Sequence, residues 1–174
     1  MRRSLVTLIV LATLAAWVSA QGSPPPLPAA TQAKLFKSNL DLLGALVDHG
    51  VKLADADNPL KRAEECRMAA ISLGNSLGEA AGKQDPDRVV ELAGLMGDVV
   101  RDGLVPNLKA AREEIKTGDP REAQLLKLSD KAKDELTSLP SKIPAEGKVS
   151  ESQKVKEAIA AVEALKSKLG FGKQ

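Results

Sequence analysis

Three times the sequence sets an Asn or Asp directly before a proline, at Asn58-Pro59, Asp85-Pro86 and Asp119-Pro120. An Asn or Asp side chain accepts from the unpaired N–H groups at a helix start. Proline at the first helical position gives up an N–H that has no intrahelical partner there. Each pair therefore reads as a helix start, and the stretches between them show helical spacing of apolar residues, with no β-type alternation. Gly118 adds a stop for the helix before Asp119. A fifth start is expected at Ser150, after "PSKIPAEGKV", with Gly170 as its stop. The predicted helices span 32–54, 59–83, 86–116, 120–139 and 150–169. Short connections force antiparallel neighbours. The expected fold class is all-α: an antiparallel up-down four-helix bundle over 32–139, a linker over 140–149 and an additional C-terminal helix over 150–169.

The third helix contains Pro106, which could split it. Val89, Ala93, Met96, Val100, Leu104, Leu108, Ala111 and Ile115 follow steps of four and three straight through the proline. One stripe in one register predicts a single long helix, bent at Pro106. The second helix is crowded with small residues on one side, Ala63, Ala70, Gly74, Gly78 and Ala81. Mid-helix glycine costs about 0.5–1 kcal/mol relative to alanine, so Gly74, Gly78, Gly94 and Gly97 call for a packing reason. The fourth helix has a narrow stripe (Leu125, Leu128, Ala132, Leu136, Leu139) and is expected at an exposed edge. The fifth, with Val155, Ala158, Ile159, Val162, Leu165 and Leu169, follows a linker with two prolines and is expected to dock either on the bundle or on a partner.

The N-terminus carries Arg2 and Arg3, an apolar run from Leu5 to Val18, and the small residues Val18-Ser19-Ala20. That is the pattern of a cleavable secretory signal over 1–20, cut after Ala20. The apolar run is short against the roughly 20 residues that cross a bilayer, so the mature chain is not expected to span a membrane. "QGSPPPLPAA" opens a Pro-rich spacer over 21–31, extended and without apolar periodicity. The expected location is the periplasm or the extracellular space.

Removal of Arg2 and Arg3 leaves 23 Lys and Arg against 23 Asp and Glu. A neutral chain has no basic excess with which to neutralise phosphates, so no nucleic acid is expected as partner. Trp17 leaves with the signal, and Phe36 and Phe171 are then the only aromatic residues. Base stacking has little to work with.

Chemistry-bearing residues are few. "DHGVKLADADNPLKRAEEC" holds the single histidine, His49, and the single cysteine, Cys66. A hairpin turning near Asp57 puts both about 12 Å up their helices, at one level. Winding the first helix at about 100° per residue puts Leu35, Leu42, Leu46 and Leu53 on one flank of a wide apolar arc. Phe36, Leu40, Leu43 and Val47 fall on the other flank, and His49 just outside the arc. Cys66 falls inside the arc of the second helix, and a thiol there behaves as a small buried hydrophobe. Glu64 and Glu65 are expected to point away from it. A lone cysteine makes no internal disulfide.

Zinc wants three or four ligands, and the chain has no CxxC, HxxxH or HExxH. A haem carrier would need His49 with Met68 or Met96. The tail over 145–170 resembles the last helix of periplasmic bundle-type cytochromes, whose axial histidine lies in that helix. This chain has none there, and no haem ligand carries over. No GxSxG, GxGxxG, Walker A or EF-hand pattern occurs, so no catalytic residue and no cofactor is expected. Arg67 is the odd residue, lying within the apolar arc of the second helix. It either runs out to water along its aliphatic stem or pairs at a helix or partner interface. The expected function is that of an exported, non-catalytic bundle acting through protein contacts, with a partner in the cell envelope. Candidate contact residues are Arg67, Leu128, Leu136, Val155, Ile159 and Val162. A metal or haem carrier using His49 is the alternative.

Overall fold

A computed structural model describes residues 29–170. The expected signal over 1–20 and nearly all of the expected spacer lie outside the described residues; the spacer's last three, 29–31, are helical. By backbone contacts the chain divides between Phe36 and Lys37, and the packing below is that of the second unit, from Lys37 on. Every regular element among the described residues is helical. They are α1 (Ala29–Asp55), α2 (Pro59–Gly82), α3 (Pro86–Asp98), a π-helical segment (Val99–Leu104), α4 (Val105–Glu114) and α5 (Glu122–Thr137). A 3₁₀ turn (Leu139–Lys142), α6 (Lys148–Glu151), α7 (Gln153–Ala164) and a last 3₁₀ turn (Leu165–Leu169) complete them.

Two of the three proline starts form as the sequence predicts. Asn58 Oδ1 accepts from the Lys61 N–H at 2.9 Å, with Pro59 opening α2. Asp85 Oδ1 accepts from the Arg88 N–H at 3.1 Å, with Pro86 opening α3. The third does not. Asp119 folds its carboxylate onto the Arg121 N–H at 2.8 Å, and α5 begins only at Glu122. The reason is local. Glu122 accepts from the Gly118 N–H at 2.8 Å and from Arg112 at 3.0 Å, which closes the turn one step later.

The stripe from Val89 to Ile115 is buried at all eight positions. The backbone stays helical through Pro106, and its irregularity lies upstream of the ring. Val105 N–H reaches back five residues to Val100 O, closing a π turn. A proline ring presses on the carbonyl four residues before it and offers that carbonyl no N–H. A wider turn there relieves the crowding. Asn107 donates from its side chain to Gly103 O at 2.9 Å.

At the centre, α2 is packed by α3, the π segment and α4, and by α5 with the 139–142 turn. In turn, α7 lies along α3, where a Cβ on Gly97 would stand 3.6 Å from Val162, and the last 3₁₀ turn returns to α5. There Ser129 Oγ donates to Leu169 O at 2.6 Å. The glycines of α2 likewise have neighbours: Gly74 faces Met96, and Gly78 faces the Lys142 stem. Gly94 faces open space, so no packing reason for it is found.

The expected linker is built into the fold. Leu139 and Val149 are buried. Gln84, with φ +57, accepts from the Val149 N–H at 3.2 Å. The C-terminal helix begins as the single turn of α6, and Ser152, not Ser150, caps α7 by accepting from Val155 N–H.

Candidate functional site

The structure redistributes the candidate residues. Leu128, Leu136, Val155, Ile159 and Val162 are all buried in the core. The expectation that the last two helices leave an apolar stripe for a partner is therefore corrected. Leu139, just before the linker, and Val149 at its end pack inward, and α7 lies along α3. Arg67 is only 7% exposed and is committed within the chain. Its Nε and Nη2 donate to the two Glu64 oxygens at 3.2 and 2.8 Å, and its Nη1 bonds Glu135 of α5. The bonds from Glu64, reinforced by Glu135, raise the guanidinium pKa above its ordinary value. Burial raises the Glu135 pKa, and Arg67 pulls it back only in part. Arg67 is thus the paired arginine of a helix–helix contact, and its fork is not offered to a partner.

Among the described residues, Leu95 and Leu126 are exposed singly, and the run of exposed apolar residues is on α1. Leu42 is buried, and Leu46 and Leu53 pack half-buried against the core. The other flank of the same helix, Leu40, Leu43, Val47 and Val51, is 56–64% exposed. The steps 40, 43, 47 and 51 put the four on one face. An arc of that width is more than one helix contact covers, and the bundle takes only half of it. Gly44, within this stretch, would carry a Cβ into open space.

Between α1, α2 and the π segment lies a solvent-open cavity of about 470 Å³. Leu46, His49, Gly50 and Leu53 of α1 roof it, and Glu65, Cys66 and Ala69 of α2 form one wall. Asp98 and the π residues Val99, Asp102 and Gly103 form the other. The levels read from the sequence hold: His49 and Cys66 share this cavity. Glu65 does not point away, because α1 seats on the flank of α2 that carries it. His49 Nδ1 donates to Glu65 Oε2 at 2.9 Å. A carboxylate only accepts, so Nδ1 carries the hydrogen and Nε2 is the ring's remaining polar atom. A second side-chain bond, Arg88 to Asn39 Oδ1 at 2.8 Å, fastens α1 to α3.

Cys66 is buried, with no disulfide. Burial raises its thiol pKa, and the Glu65 carboxylate adds to the effect. Such a thiol stays protonated and is a poor nucleophile. Gly103 makes room for it: a Cβ there would stand 2.8 Å from Cys66 Sγ. Gly103 lies within the π segment.

Among the described residues no three His, Cys, Asp or Glu side chains converge as metal ligands. Neither Met68 nor Met96 lines the cavity that His49 lines. Met68 Sδ accepts from Arg67, and Met96 faces Gly74. No described helix is long and apolar enough to cross a membrane. Protein-family models, curated proteins and solved structures were all compared with the chain, and none matches it.

Proposed function

We propose that this is an exported, non-catalytic helical-bundle protein that acts through protein contacts, with the uncovered stripe of α1 as its contact surface. The observation that carries the reading is the four-residue apolar face Leu40, Leu43, Val47 and Val51, more than half exposed at every position. Contiguous apolar surface on a soluble protein marks an interaction site. Each buried Leu or Val contributes about 1.5–3 kcal/mol, enough for four to anchor a partner helix. The surrounding polar positions Lys37, Asp41, Asp48 and Lys52 carry both signs, as an interface rim does. Export rests on the Arg2-Arg3, apolar and small-residue pattern at the N-terminus. The arrangement we assign is the up-down bundle with its third helix bent at Pro106, supported by the short turns before α2 (56–58) and before α3 (83–85).

The test is capture from the cell envelope with the wild type and with a Leu43→Asp, Val47→Asp double variant. Both positions face solvent, so the variant's melting should match the wild type's while capture of the partner is lost. Equal capture by both proteins would remove α1 from the reading. Fractionation should recover the chain in the envelope with Gln21 as its first residue; cytoplasmic protein starting at Met1 would end the export claim.

A further inference from the structure

We infer that the open groove between α1, α2 and the π segment is a binding site for an uncharged apolar small molecule. Its volume of about 470 Å³ falls in the range of about 300–1,000 Å³ typical of ligand sites. The interior surface is aliphatic, from Leu46, Leu53, Ala69 and Val99, with glycine at Gly50 and Gly103. Its far wall is the π segment, a backbone irregularity that recurs at functional sites.

The polar groups select what enters. Glu65, Asp98 and Asp102 stand on the wall, and Asp98 and Asp102 share Arg101 at 2.7 and 2.8 Å. No Lys or Arg lines the space and Arg101 is already paired, so an anionic head finds no cation to receive it. His49 Nε2 is the group suited to a hydroxyl or other neutral polar end. The roof is lightly fastened, by His49–Glu65, Arg88–Asn39 and three leucines. The groove is open to solvent along Gly50, Asp98 and Asp102, so a ligand enters without any movement of α1.

The probe is N-phenyl-1-naphthylamine, whose fluorescence rises in apolar surroundings, titrated into the purified protein at pH about 8, where a carboxylic acid is ionised. Saturable binding at one site is expected, and 1-octanol should displace the probe at a concentration about tenfold below that of octanoate. Ala69→Phe and Leu46→Trp enlarge side chains that line the site on α2 and on α1. Either variant, with helix content and melting retained, should weaken probe binding about tenfold or more, a loss of the order of one filled apolar contact. The inference is overturned if the wild type shows no saturable binding, the result expected if α1 settles onto α2 and closes the space. It is equally overturned if both folded variants bind as the wild type does, or if octanoate displaces as well as octanol.

Discussion

Replacing Gly103 by alanine tests the packing under α1 at one atom pair. The added Cβ would lie 2.8 Å from Cys66 Sγ and 3.6 Å from Cys66 Cβ. The first distance is well inside van der Waals contact, so the thiol must rotate towards the cavity or α2 must part from the π segment. Forcing a methyl into a filled site costs about 1–3 kcal/mol. Alanine in place of a mid-helix glycine returns about 0.5–1 kcal/mol. The net expectation is a destabilisation of about 1 kcal/mol in the wild-type background. In a Cys66→Ala background the sulfur is gone and only the ordinary 3.6 Å approach remains. There the same substitution should stabilise by about 0.5–1 kcal/mol. Urea unfolding of the four proteins, followed by helix circular dichroism, reads the coupling, expected at about 1–3 kcal/mol. Reactivity of the thiol towards a disulfide reagent should rise in Gly103→Ala as Cys66 is displaced. Equal effects of Gly103→Ala in the two backgrounds, within about 0.5 kcal/mol, would refute the placement of Cys66 against Gly103.

Arg67→Ala leaves Glu135 partly buried beside Glu64 with no cation between them. Breaking a fully buried pair costs about 3–5 kcal/mol. The partial exposure of both glutamates lowers the expectation to roughly 2 kcal/mol by urea unfolding, and Arg67→Met with Glu135→Leu should recover most of it. Gly147 has φ +106 and ψ −175, a region kept for glycine, and a Cβ there runs into the Gln84 carboxamide. Gly147→Ala should cost at least about 1–3 kcal/mol and raise proteolysis within 140–149. The Cys66 thiol has a folded pKa above its ordinary 9.0, so the folded state holds that proton more tightly than the unfolded chain. Stability from this group is therefore full below about pH 9 and falls as pH rises towards the folded value. The urea midpoint of the wild type should drop relative to Cys66→Ala over that window, and a parallel pH dependence would contradict the burial.

Much of the helical framework was legible because its determinants are local. Asn58 and Asp85 cap helices through their own side chains, and the stripe from Val89 to Ile115 needs only 3.6-residue periodicity. What escaped was decided by neighbours. The apolar arc of α1 is plain in the sequence, but which half packs depends on how many helices meet it. Only one flank does, so Leu42 is buried while Leu43 is not. For the C-terminal helix the sequence leaves open docking on the bundle or on a partner, because the linker's two prolines do not say which. Leu139, Val149 and the Gln84 side chain hold that linker to the bundle. Glu65 lies outside the main arc of α2 and looked solvated, until α1 seated on its flank and offered His49. Asp119-Pro120 carries the same letters as the working caps, yet Glu122 competes for the turn. The π segment shows only as the run of four-residue steps Met96, Val100, Leu104 and Leu108, wider than an α-helix's 3.6, which a stripe of mixed threes and fours absorbs.

The central claim, that α1 carries the protein's contacts, is tested most directly by a photo-crosslinking residue introduced in the native envelope at Val47 and, separately, at Lys131, an exposed residue of α5. The account predicts a discrete protein adduct from position 47 and none from position 131. No adduct from position 47, or the same adducts from both, would contradict it.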